Sequence, residues 1–123
     1  MVKVLKCNHC GNMAAMIKDT GVPVICCGEP MEVLDPNTVD AAVEKHVPEV
    51  DVAGNTVTVK VGSVEHPMTE EHFIANIILE TKCGVQIVTL TPDMKPEAVF
   101  ALADGDEVVA AYEYCTLHGF WKK

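Results

Sequence analysis

From Val47 onward the chain alternates apolar and polar residues with a period of two. In "VPEVDVAGNTVTVKVG", Val50 and Val52 share one phase, and Val57, Val59 and Val61 resume it after a Gly-Asn pair. That pattern is the signature of a β-hairpin whose strands each bury one face. Further runs follow in "FIANIILETK", "VQIVTLT", "AVFALA" and "EVVAAYEYCT", separated by Cys83-Gly84, by Pro92 to Pro96 and by Asp104-Gly105-Asp106. About seven short antiparallel strands with regular turns predict an immunoglobulin-like β-sandwich over residues 36–123. The closing "FWKK" reads as an ordinary terminus.

The first 35 residues follow no such pattern. Glycines and prolines recur at short intervals in "CNHCGNMAAMIKDTGVPVICCGEP", and the segment is too small to bury a core of its own. It needs a staple, and four of the six cysteines lie within it. "DPNTVD" then makes a turn: Asp35 is biased to extended backbone by Pro36, and Thr38 is placed to cap a short helical stretch, "VDAAVEK". The expected fold is therefore all-β, with a small four-cysteine domain at 1–35 and a seven-stranded sandwich at 36–123.

Composition sharpens this picture. Of 123 residues 49% are hydrophobic but only 5% aromatic, so the core rests on Val, Ile, Ala and Leu, a bias toward strands. A net charge of -9 argues against binding a phosphate backbone, which needs a cationic face. "MVKVLKCNHC" has no long apolar stretch, and no apolar run approaches the roughly 18 residues that span a bilayer. The expectation is a cytoplasmic protein with neither nucleic acid nor membrane as partner. In a reducing compartment its cysteines read as metal ligands or free thiols before disulfides.

Cys7 and Cys10 form a Cys-x2-Cys knuckle, and Cys26 with Cys27 would close a tetrahedron of thiolates suited to zinc or iron. Adjacent cysteines normally point apart, so both reach one ion only through a strained backbone. A purely structural zinc knuckle is the plain alternative, and a disulfide the weaker one. The second cluster is His46, His66, His72 and His118 with Cys115. His66 and His72 are six apart, which rules out the helical zinc-protease arrangement. Cys115 with His118 also admits a nucleophile and its base, although no catalytic-cysteine signature surrounds them. Taken together, four nitrogens and one sulfur make a square pyramid with one position vacant, a geometry that fits iron better than four-coordinate zinc. A vacancy opposite a thiolate can admit a small oxygen species. His9 and Cys83 read as an exposed side chain and a free thiol.

The blocks "CNHC", "CCGEPM", "EKHVP", "HPMTEEH" and "YCTLHGFWK", spread over nearly the whole chain, resemble the desulfoferrodoxin family of two-iron superoxide reductases. The resemblance implies a desulforedoxin-like iron domain bound by Cys7, Cys10, Cys26 and Cys27. It further implies a catalytic iron held equatorially by His46, His66, His72 and His118 and axially by Cys115. The implied reaction is one-electron reduction of superoxide to hydrogen peroxide, with electrons from a rubredoxin-like donor and, by family habit, a homodimer. Glu44 and Lys45 match the family's mobile loop: Glu44 would fill the sixth position of the ferric resting site, and Lys45 would attract the anion. Without the resemblance, "EKH" is an exposed charged turn. Thr116 stands where the family often has Asn. An electron carrier without turnover and a zinc-stapled interaction protein are the competing functional classes.

Overall fold

The computed structural model describes residues 1–123, which form two compact units, Met1–Asp35 and Pro36–Lys123. In the first unit, β1 (Val4–Lys6) pairs antiparallel with β2 (Met13–Ala15) on one side and β5 (Glu32–Val33) on the other, while β3 (Ile25–Cys26) and β4 (Glu29–Pro30) make a separate ribbon. Val4, Leu5 and Cys7 are buried, but Ile17, Val22 and Ile25 lie open to solvent. So small an apolar interior does not hold such short strands by itself, which is why a cross-link matters here.

The β3–β4 turn explains the adjacent cysteines. Cys26 pairs with Glu29 across a two-residue loop, Cys27-Gly28, whose residues have φ of +54° and +77°. Two positive φ values define the tight mirror-image hairpin turn, costly for a side-chain-bearing residue at Cys27 and free for Gly28. The strain anticipated for neighbouring thiols is thus stored at one residue, and it turns Cys27 back toward Cys26.

In the second unit a single helical turn, α1 (Val43–His46), precedes seven strands: β6 (Pro48–Ala53), β7 (Thr56–Val61), β8 (Ile74–Thr81), β9 (Val85–Thr89), β10 (Glu97–Ala101), β11 (Val108–Cys115) and β12 (Gly119–Lys122). They form two antiparallel sheets, β10-β7-β6 and β12-β11-β8-β9. The hairpin read from the valines is β6–β7, turned at Gly54 with φ of +61°. Val57, Val59 and Val61 point inward against Ile77, Leu79, Phe100 and Ala111, while Val52, near the hairpin's end, stays 53% exposed. The fold is all-β, as the alternation predicted.

Two local expectations fail. The "FWKK" segment is no loose end: Gly119 to Lys122 pair with Cys115 to Tyr112, burying Phe120 and Trp121, with Phe120 stacked on Tyr112 at 5.4 Å. A four-residue strand whose two buried residues are adjacent shows no period-two pattern. The helix is also shorter than "VDAAVEK", and Ala42, not Thr38, stands at its start with no side-chain cap. Pro48 drives Val47 into extended backbone, so the turn ends at His46.

Candidate metal centres

The sulfurs of Cys7, Cys10, Cys26 and Cys27 all lie within 4.8 Å of one another, and none is in a disulfide. Cys10 and Cys26 Sγ are 3.7 Å apart. A tetrahedron with metal–sulfur bonds of about 2.3 Å has edges of about 3.8 Å, so the spacing fits one ion, whereas a covalent S–S bond needs about 2.05 Å. Backbone N–H groups of His9 and Cys10 donate to Cys7 Sγ at 3.4 and 3.5 Å, and Asn12 N–H donates to Cys10 Sγ at 3.5 Å. The Cys10 and His9 amides bring the Cys7 thiol down to about 6, whereas its crowded neighbour Cys27 is pushed up to about 12, first by Cys10. Four thiols this close cannot all ionise without a cation among them. His9, expected to be exposed, is so, but its Nε2 sits 3.0 Å from Glu29 Oε2.

The second cluster draws its residues from across the larger unit. His46 ends α1, His66 and His72 flank the β7–β8 connection, Cys115 ends β11, and His118 precedes β12. Adjacent imidazole rings are 4.6 to 4.9 Å apart and nearly perpendicular, around the circuit His46, His66, His72, His118. Across the diagonal, His46 and His72 are 6.4 Å apart and within 24° of parallel. Four short edges and one long diagonal describe a square.

Which nitrogen each ring presents follows from its other hydrogen bond. His46 Nδ1 lies 2.7 Å from the Ala42 carbonyl and His66 Nδ1 2.6 Å from the Pro67 carbonyl. A carbonyl only accepts, so each Nδ1 carries the proton and each Nε2 presents a bare lone pair. Yet His66 Nε2 is 3.2 Å from His46 Nε2, and His118 Nδ1 is 3.1 Å from the same atom. The two Nε2 lone pairs of His46 and His66 repel at that distance unless a cation lies between them. An ion bonded to nitrogens at about 2.1 Å has adjacent ligands about 3.0 Å apart, close to both values. His72 Nε2 supplies the independent sign: it is buried with no hydrogen-bond partner.

Cys115 lies at the side of this square, fully buried, with Sγ 3.4 Å from His66 Nε2. Burial raises its thiol, and amide donation from His118, at 3.4 Å, and from Leu117 opposes that rise. The two amides are those of the "TLH" turn, and they temper the sulfur's donor strength. Burial also keeps the rings neutral: His46 and His72 are held below the usual imidazole value, and His66 falls to about 4. Neutral imidazoles are the form a metal binds, and the Cys115 thiol would give up its proton on coordination. The donor set, four imidazoles around a square with a buried sulfur close by, suits a five-coordinate iron.

Glu44 and Lys45 are exposed on α1. Lys45 shares an open cavity of about 390 Å³ with His66, and its charge lowers the pKa of His46 and His72. Cys83 is exposed at the β8–β9 turn, where Asp106 raises its thiol, leaving it a poor nucleophile.

Several residues that shape the nest were given no such role by the sequence. Trp121 stacks on His46 at 4.9 Å, and its indole N–H donates to the His118 carbonyl at 3.0 Å. One side chain thereby orients two of the imidazole positions. Thr116 Oγ1 accepts from Phe73 N–H at 3.2 Å and Thr116 N–H donates to the Phe73 carbonyl at 3.0 Å, tying the His72 segment to the Cys115 turn. Glu113 is buried with neither carboxylate oxygen hydrogen-bonded, and burial raises it to about 9. Trp121 left a trace in the sequence as the sole tryptophan, and Thr116 as a departure from the family's usual Asn.

The Desulfoferrodoxin family model matches residues 38–123. A desulfoferrodoxin of Syntrophotalea carbinolica is 46% identical over 120 residues, covering 98% of this chain and 94% of the relative. One from Nitratidesulfovibrio vulgaris is 44% identical over 120 residues, again covering 98% and 94%. Among solved structures, the superoxide reductase from Treponema pallidum matches with a TM-score of 0.85 and 43% identity, covering 100% of this chain and 98% of that one. A one-iron superoxide reductase from Giardia intestinalis matches with a TM-score of 0.55 and 36% identity, over 65% of this chain and 95% of its own.

Proposed function

The chain belongs to the desulfoferrodoxin family, and from that premise we propose that it reduces superoxide to hydrogen peroxide at the nest of His46, His66, His72, His118 and Cys115. The observation that carries the reading is the pair of His46 and His66 Nε2 atoms, each with its Nδ1 against a carbonyl, facing one another at 3.2 Å beside a buried sulfur, with His118 Nδ1 3.1 Å from His46 Nε2. That arrangement suits a cation. Iron held there supplies the single electron that superoxide must gain.

The chain's own residues do the rest. Cys115 sets the basicity of the sulfur donor through its two amide contacts. His46 and His66, pinned through Nδ1 to backbone carbonyls, hold their rings in one orientation through the cycle. Lys45, on the open cavity, draws in the anion, which a protein of net charge -9 would otherwise repel. Glu44, its exposed neighbour on α1, would be a carboxylate within the same turn able to approach iron held in the nest. Superoxide gains one electron and two protons from solvent to leave as hydrogen peroxide.

Residues 1–35 form a desulforedoxin-like domain whose four thiolates bind a second iron, and residues 36–123 form the catalytic domain. A rubredoxin-like protein supplies the electrons. The exposed Ile17, Val22 and Ile25 give a second copy of the chain an apolar surface to cover, which supports a homodimer. Six free thiols suit the reducing cytoplasm, and no helix is long and apolar enough to cross a membrane.

The test is direct. Purified protein is expected to carry two irons per chain, to show thiolate-to-iron absorption, and to consume superoxide with one peroxide formed per superoxide and no oxygen released. Oxygen evolution would make it a dismutase instead. Zinc in the histidine nest of active protein would end the proposal.

A further inference from the structure

Three lysines of the larger unit are gathered on one side. Lys82 is paired with Glu107 at 2.8 Å, and Lys122 lies 6.0 Å from the Tyr112 ring centre. Lys45, Lys60 and Lys95, by contrast, line two open cavities that adjoin through Glu65, Lys95 and Pro96. The first is bordered by Lys60 and Lys95 with the carboxylates of Glu65 and Glu97, the second by Lys95, Lys45 and His66 with Glu65 alone, so cationic charge outweighs anionic only toward the nest. The route thus runs from Lys60 past Lys95 to Lys45 and an imidazole of the nest.

Lys95 is held there by the same backbone that holds the nest. Val61 N–H donates to the Pro96 carbonyl at 2.8 Å, and the Val61 carbonyl accepts from His66 N–H at 2.9 Å. The Lys95 carbonyl itself accepts from Glu97 N–H at 2.8 Å, which fixes the turn. On its other side the same connection carries Lys45: Val64 N–H donates to the Glu44 carbonyl at 2.9 Å, and Ser63 Oγ does so at 3.3 Å. One short segment, residues 61–66, therefore sets the separation of Lys95, Lys45 and His66. Their shared cavity of about 390 Å³ exceeds what a diatomic anion needs, so the anion enters with water around it and feels charge before contact.

We propose that Lys95 is a second capture residue for the anionic substrate, an outer cation that collects superoxide at the cavity mouth and passes it to Lys45. The inference rests on superoxide being the substrate, and it concerns how the anion arrives. An exposed ammonium within about a Debye length of the path raises the encounter rate at low ionic strength and loses this influence in high salt. Lys95 acts through its charge, without touching the reacting atoms.

The experiment compares the iron-loaded chain with Lys95→Ala and Lys95→Glu by stopped flow, using superoxide, azide and nitric oxide. Azide is an anion that is not reduced, and nitric oxide a neutral diatomic. At about 10 mM ionic strength, Lys95→Ala is expected to slow association of superoxide and azide about two- to fourfold, and Lys95→Glu about tenfold. At about 0.5 M salt both differences should vanish, and nitric oxide should be unaffected throughout. Equal slowing of azide and nitric oxide would mean a structural effect and overturn the proposal. So would unchanged azide rates at low salt. If superoxide is not consumed at all, the proposed reaction fails, while the azide and nitric oxide rates still decide the role of Lys95.

Discussion

Replacing Gly62 with alanine tests how the nest is positioned. A methyl group on Gly62 would lie 2.7 Å from the Glu44 carbonyl oxygen, 3.0 Å from that of Val47 and 3.1 Å from the Lys45 carbonyl carbon. Ordinary contact begins near 3.4 Å, so the shortest approach falls short by about 0.7 Å. All three atoms are backbone, and no side chain can swing aside. The α1 turn must move as a body, and it carries Glu44, Lys45 and His46 with it. Overpacking of this kind costs about 1–3 kcal/mol. A shift of several tenths of an ångström at His46 and Lys45 should slow superoxide reduction by about tenfold or more, since displacements near 1 Å cost about a hundredfold. Gly84→Ala is the control, because its added methyl meets nothing within 4 Å. Thermal unfolding and stopped-flow rates on both variants give the answer. A Gly62→Ala protein as stable and as fast as Gly84→Ala would show that residues 61–66 do not set the position of α1.

Further outcomes are expected elsewhere. Cys115→Ser should abolish the thiolate-to-iron absorption and nearly all activity while leaving the four-cysteine centre's spectrum intact; a persistent band from the histidine nest would remove Cys115 from the ligand set. Trp121→Leu removes both the His46 stack and the indole donor to His118, and should broaden the iron site's paramagnetic resonance signal, with a loss of about 2–4 kcal/mol in stability. Glu113, protonated in the fold to about 9 and ordinarily ionised above 4.5, binds one more proton folded than unfolded between those values. Stability therefore falls as pH rises through that window, by up to about 3 kcal/mol at pH 7, and Glu113→Gln should abolish the slope. Parallel pH profiles of unfolding for the two proteins would contradict it.

The sequence made the sandwich legible because Val57, Val59 and Val61 must all face one way, and period-two burial leaves a visible trace. β12 left too little trace, since only Phe120 and Trp121 are buried in a four-residue strand. The candidate ligands could be named because cysteine and histidine are scarce and chemically distinctive. Their convergence was legible through the family resemblance and not through spacing, because it depends on contacts between segments as far apart as His46 and His118, and on carbonyls such as those of Ala42 and Pro67 that any residue could offer. Gly62 and Lys95 were invisible for the same reason: a glycine between strands and a lysine after a methionine acquire meaning only from what the fold sets beside them.

The two ligand sets also differ in when they can exist. Cys7 to Cys27 emerge from the ribosome early and close through local turns, so an ion can be captured while the remainder is still being made. The histidine nest waits for His118 and for β11 to slot between β8 and β12. Cells short of iron at the moment of release should therefore accumulate molecules filled at the front and vacant behind, a half-loaded population that native mass spectrometry would resolve.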